Sequence, residues 1–163
     1  MTTLSRGLRL HLLLTDLGFL AYWLATACAW LPSSLLFKDY HAPLMVAWNV
    51  SFAPLDLLAS VFGLAAVALA GRGARAWPKF ALVSLVLTAC AGLMAIAFWT
   101  LRRDFDPTWW LPNLYLLLWP LCYLPALLRG QDAAGDAHPQ AGATGRSRPG
   151  PLSSLYACFC ERT

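Results

Sequence analysis

The chain has 163 residues, of which 59% are hydrophobic and only 12% charged, and its formal net charge is +4. Soluble domains carry about 25% charged residues, and nine of the 20 charged side chains here lie before Leu10 or after Leu128, so the middle has nothing with which to face water and a water-soluble globule is excluded. The 12 Lys and Arg are scattered singly or in pairs, which excludes the basic stripe of a nucleic-acid binder, and the five cysteines (Cys28, Cys90, Cys122, Cys158, Cys160) outline no disulfide framework.

Residues 1–9 form a short amino-terminal segment with Arg6 and Arg9. Four apolar runs follow, at about 10–31, 44–70, 80–101 and 109–128. Each holds about 20 residues or more, enough at 1.5 Å rise per residue to cross roughly 30 Å of hydrocarbon. The runs are continuously apolar and rich in Leu and Ala, without the alternation of a barrel strand. The breaks carry turn chemistry: Pro32-Ser33-Ser34, His41-Ala42-Pro43, Gly71-Arg72-Gly73 and Asp106-Pro107-Thr108. Connections this short make neighbouring helices antiparallel. The predicted fold is all-α: a polytopic membrane protein with an antiparallel four-helix transmembrane bundle over residues 10–128. Residues 129–163 are expected to be a disordered cytoplasmic tail, because the stretch GQDAAGDAHPQAGATGRSRPGP (130–151) has no aromatic residue and little to bury.

Nine Lys and Arg fall on the side of the two termini and the 71–79 loop, and three (Lys38, Arg102, Arg103) on the other. The positive-inside rule then places both termini in the cytoplasm. Trp30, Phe37, Tyr40, Trp99, Phe105, Trp109 and Trp110 are expected to form an outer aromatic belt, with Trp77 at the inner interface. Arg6 and Arg9 before an apolar run ending Ala25-Thr26-Ala27-Cys28 have the outline of a signal or lipoprotein anchor. Asp16 interrupts that run, and Ala25 stands where Leu is usual, so the segment reads as a retained span.

The informative residues are polar ones inside the spans. An Asp at a helix centre costs roughly 2.5–3.5 kcal/mol on an insertion scale, and the chain carries Asp16 and Asp56 as well as Asn49 and Asn113. Trp23 lies seven residues after Asp16, on nearly the same helix face. Asn49, Asp56, Ser60 and Gly63 form one polar, small stripe on the second span. Ser84, Thr88, Ala91, Gly92 and Ala95 make a small-residue face on the third, of the kind that lets helices approach closely. Pro112, Pro120 and Pro125 interrupt the backbone ladder of the fourth. Asp56 has candidate partners in Asn113, Tyr115 and Thr88, and Asp16 in Tyr123 or a backbone amide. His11 is about 140° from Asp16 on the helical wheel and reads as interfacial.

Asp39, His41, Asp104 and Asp106 cluster on the outer side, but ion pairs with Lys38, Arg102 and Arg103 account for them better than a metal. No nucleophile elbow, P-loop or HExxH occurs, so no catalytic residue, metal site or cofactor is expected, and an enzyme is not expected. One reading is an integral membrane protein that binds a small amphipathic, lipid-like or cationic ligand between helices through Asp16, Trp23, Asn49, Asp56 and Asn113. The other is a non-catalytic subunit or interaction protein, a homo-oligomer or the companion of a membrane partner, whose buried polar groups only fix helix packing. A proton or ion path through the two acids is a third. The expected partners are the lipid bilayer and such a ligand, with no nucleic acid.

The stretches LTDLGFLAYWL (14–24), KDYHAPLMVAWNVSFAPLDLLAS (38–60), SLVLTACAGLMAIAFW (84–99) and DFDPTWWLPNLYLLLWP (104–120) resemble the YvaD-like family of small bacterial four-span membrane proteins. KDYH, WN-x-SF-x-PLD and WWLPNLYL are specific as strings. The resemblance covers about residues 10–128 and implies an identity without a chemistry, because that family has no assigned activity. In topology, and in Asp16 and Asp56, the chain is also similar to the EXPERA group of emopamil-binding and sigma-receptor-like proteins, which bind sterols or hydrophobic amines. The Glu that group uses is matched only loosely by Asp56, and its catalytic His has no counterpart in the spans.

Overall fold

The computed structural model describes residues 4–28, 30, 39 and 41–136, the last six by backbone alone. Among them are five helices and no strand: α1 (Arg6–Ala27), α2 (Pro43–Val50), α3 (Ala53–Gly71), α4 (Trp77–Leu101) and α5 (Pro107–Asp136). α2 and α3 together make the second of four helical segments long and apolar enough to cross a membrane. The four spans are those the sequence predicts, and the protein is a multi-pass membrane protein.

Local chemistry sets the helix ends. Ser5 caps α1, its Oγ accepting from the Leu8 N–H at 3.2 Å. Proline opens α2 (Pro43) and α5 (Pro107) and stands in the first turn of α3 (Pro54) and α4 (Pro78), where a missing N–H costs nothing. α3 ends on Gly73 at φ 68°, and α4 on Arg103 at φ 55°. Both are Schellman ends, closed by Gly73 N to Ala70 O with Ala74 N to Leu69 O, and by Arg103 N to Thr100 O with Asp104 N to Trp99 O.

Several boundaries differ from the sequence expectation: α1 begins at Arg6, inside the expected amino-terminal segment, and ends at Ala27 instead of 31, and α4 begins at Trp77 instead of 80. The second span is broken at Ser51-Phe52 instead of running straight, because Pro54 has no N–H for the Val50 carbonyl and its ring crowds that carbonyl. There Phe52 N bonds Asn49 O at 3.1 Å, and the Ser51 hydroxyl donates to Trp48 O at 2.6 Å. α5 runs on to Asp136, past the predicted end at 128, and its three internal prolines leave it one helix. The rest of the expected disordered tail, with Cys158 and Cys160, lies outside the described residues.

α1 packs on α3, α3 on α4 and α4 on α5, while α5 touches α1 lightly. Glycine permits the closest of these approaches. A methyl group on Gly92 would lie 2.5 Å from Leu117 N and 2.7 Å from Asn113 O, so α4 and α5 meet backbone to backbone. The core is in two parts. Leu8, Leu12, Ala66, Trp77, Ala81, Leu85 and Trp119 form an apolar cluster at the end of the chain termini. Met45 and Trp99, with Trp48, Phe98, Trp109 and Trp110 against them, form another at the end of the α4–α5 loop. Buried Asp16, Asp56, Ser60, Ser84 and Thr88 lie between the two.

The expected aromatic belt is only partly a surface feature. Trp30 and Phe105 are exposed, whereas Trp99 is 1% exposed and Trp77 is buried. Both turn inward: Trp99 packs with Met45, Trp48, Phe98 and Trp109, and Trp77 joins the cluster of Leu8, Leu12, Ala66 and Ala81. Phe37 and Tyr40 lie outside the described residues.

Candidate functional site

The α1 residues Leu12, Asp16 and Phe19 recur at helical spacing and are all buried, so α1 presents a single face to α3 that carries one acid amid apolar neighbours. Trp23 continues that face, and its indole Nε1–H donates to Asp56 Oδ2 at 3.0 Å. Beside it the Tyr22 hydroxyl donates to Asn49 Oδ1 at 3.2 Å. α1 is thus bonded side chain to side chain with both halves of the second span, above and below its break. Ser60 adds a third tie: its Oγ lies 2.8 Å from the Asp56 carbonyl, one turn back on α3, and 3.2 Å from the Asp16 carbonyl across the interface.

Asp56, 6% exposed, has a second oxygen, Oδ1, with no hydrogen-bond partner among the described residues. It borders a cavity of about 260 Å³ between α1, the α2–α3 break, α4 and α5. The cavity walls are mainly aromatic: Phe19, Tyr22, Trp23, Trp48, Trp99 and Trp109. Asn49 also lines it, and its Nδ2 is buried without a partner. Asn113 lines it too, but its Nδ2 donates to Trp109 O at 2.7 Å on its own helix. Among the described residues, those lining the cavity carry one unpartnered carboxylate oxygen, on Asp56, and two unpartnered N–H groups, on Asn49 and Trp99, amid π faces.

Four of the five residues singled out from the sequence (Trp23, Asn49, Asp56, Asn113) line this cavity, and Asp16 does not. The partner of Asp56 is Trp23, not Asn113, Tyr115 or Thr88. Tyr123 lies instead against Gly7, where an added methyl would be 2.8 Å from its hydroxyl. Asp16 is 0% exposed, and neither carboxylate oxygen has a hydrogen-bond partner among the described residues.

Sequence reasoning passed over two features. The sequence expectation places the cavity walls Trp99 and Trp109 at the lipid interface and gives Trp48 no role, whereas all three line the cavity. His11, read as interfacial, stacks on Trp119 with ring centres 5.1 Å apart, and its Nδ1 is 3.0 Å from the Tyr115 hydroxyl. It forms the α1–α5 seam. On the loop side, Arg102 pairs with Asp39 at 3.0 Å and lies 5.6 Å from the Trp99 ring centre. Among the described residues no group of three His, Cys, Asp or Glu is placed to hold a metal.

Over residues 8–134 the chain matches the family described as "Family of unknown function (DUF5360)", and it belongs to that family. It is 48% identical over 124 residues to the Uncharacterized protein YvaD of Bacillus subtilis (strain 168), an alignment that covers 76% of this chain and 93% of that protein. No solved structure matches it.

Proposed function

We propose that this protein binds a small organic cation, such as an amine-bearing amphiphile, in the cavity beside Asp56. The observation that carries the reading is a carboxylate oxygen without a partner inside an aromatic-walled space. Aromatic faces attract cations, by about 2 kcal/mol or more where water is absent, and a buried carboxylate gains most from an opposite charge. The volume of about 260 Å³ falls just below the roughly 300–1,000 Å³ of drug-sized pockets, which favours a compact head over a bulky ring system. The role is read as binding, not catalysis, because no paired nucleophile and base line the space among the described residues. The excess of Lys and Arg beside the termini supports a plasma-membrane topology with both ends cytoplasmic, which puts the cavity in the outer half.

The bond from Trp23 to Asp56 favours a second reading, a membrane subunit in which Asp56 only fixes α1 against α3. Asp56→Asn separates the two. The test is thermal unfolding of purified protein in detergent with a panel of hydrophobic amines, quaternary ammonium compounds and sterols. On the binding reading, amines raise the melting temperature of the wild type and have no effect on Asp56→Asn, which itself stays folded. A panel with no effect on the wild type, together with a harmless Asn and a damaging Leu at 56, leaves only the packing role.

A further inference from the structure

Asp16 is the most fully enclosed ionisable group among the described residues, and the cavity at Asp56 does not reach it. Its carboxyl lies against bare backbone: a methyl on Gly63 of α3 would overlap it and would stand 2.8 Å from Ser84 Oγ of α4. Carboxyl and hydroxyl therefore converge on one glycine from two different helices. Ser84 Oγ is buried without a hydrogen-bond partner, and so is Thr88 Oγ1, one helical turn further along the same face of α4. The two Asp16 oxygens and Ser84 Oγ are thus unsatisfied around one glycine, with Thr88 Oγ1 unsatisfied one turn along α4, and each such buried group carries a desolvation cost.

We propose that Asp16, Ser84 and Thr88 form a binding site for a small monovalent metal cation of the size of Na⁺, buried between α1, α3 and α4. Carboxylate and hydroxyl oxygens are the ligands that hard cations take. A single carboxylate neutralises one positive charge, which selects a monovalent ion over a divalent one. Full enclosure of the carboxyl, away from the cavity beside Asp56, favours a bare small ion over an organic amine. The occupied site ties α1 to α4 through the ion, where no direct hydrogen bond between those helices is made by Asp16. This inference does not rest on the amine cavity, because Ser60 and the main chains it bonds stand between the two acids.

The experiment is thermal unfolding of the full-length protein in detergent at fixed pH, in NaCl, LiCl, KCl or N-methyl-D-glucamine chloride at matched concentration, with binding of radioactive Na⁺ counted in parallel. The expected result is a saturable rise in melting temperature with Na⁺, one Na⁺ bound per chain, and loss of both in Asp16→Asn. Ser84→Ala, which keeps the charge, should raise the half-saturating Na⁺ concentration about tenfold. Asp56→Asn should leave the Na⁺ response intact even if amine binding is lost, so the two sites stand or fall separately. A wild-type protein that melts alike in Na⁺ and N-methyl-D-glucamine, as it would with a proton held on Asp16, overturns the proposal. So does a Na⁺ response that survives in Asp16→Asn or is unchanged in Ser84→Ala.

Discussion

Replacing Gly92 with Ala tests the closest approach in the bundle. The added methyl would meet Leu117 N at 2.5 Å, Asn113 O at 2.7 Å and the Leu116 carbonyl carbon at 2.9 Å. All three are backbone atoms of α5, so no side chain can rotate away and the two helices must part. Overpacking of this kind costs about 1–3 kcal/mol. The higher helix propensity of Ala returns about 1 kcal/mol, leaving a net loss of up to about 2 kcal/mol. Gly18→Ala on α1 is the matched control, because a methyl there meets nothing within 4 Å. It keeps the propensity gain of about 0.5–1 kcal/mol without the clash. The two substitutions are chemically identical and should have opposite signs. Unfolding in mixed micelles with increasing dodecyl sulfate, followed by circular dichroism, measures the difference. Equal stability of the two variants, or Gly92→Ala as the more stable, would refute the described α4–α5 contact.

Trp23→Phe removes the donor to Asp56 Oδ2 and should destabilise by about 1–3 kcal/mol; in a double-mutant cycle with Asp56→Leu, which removes the acceptor, the losses should not add. Reporter fusions after Arg75 and after Gly130 should read cytoplasmic and a fusion after Arg103 external; the reverse pattern would overturn the topology. Truncation after Asp136, the last residue of α5, should leave the yield of folded protein in the membrane unchanged, as judged by size-exclusion profile. His11→Ala removes the ring stacked on Trp119 and should cost about 0.5–1.5 kcal/mol or more in the same micelle assay, the worth of an aromatic pair.

The spans were legible because hydrocarbon demands continuous apolar runs, and nothing else in this chain competes with them. The buried faces of the second and third spans were legible for the same reason: Asn49, Asp56, Ser60 and Gly63, then Ser84, Thr88 and Gly92, stand out as polar or small at helical spacing. Periodicity says which way a residue points around its own helix, but not which residue of another helix stands at the same depth. That is why helical spacing offers Asp56 the partners Asn113, Tyr115 and Thr88 but not Trp23, and why it groups Asp16 with a cavity that Asp16 does not line. Depth depends on where each helix starts, and the start of α3 is set by Pro54, whose break was overlooked inside an otherwise apolar run. Trp99 shows a related limit. A tryptophan near a span end has the same sequence signature whether it faces lipid or packs on aromatic rings inside the bundle, and only the neighbouring helix decides.

The break in the second span also bears on the bilayer around it. The whole segment Pro43–Gly71 has 29 residues and would be about 43 Å long as one straight helix, well beyond the roughly 30 Å of a typical hydrocarbon core. α3 alone, with 19 residues, covers about 28 Å. α2 is therefore length beyond what one crossing needs, and with α3 spanning the hydrocarbon, Trp48 and Asn49 would fall near the depth where acyl chains give way to head groups. Membrane thickness becomes a variable of the site: a thicker leaflet immerses α2 and opens the space beside Asp56 toward acyl chains, while a thinner one leaves it among head groups. Mismatch costs only fractions of a kcal/mol per Å, so a modest change in lipid composition is enough to tilt this short helix one way or the other.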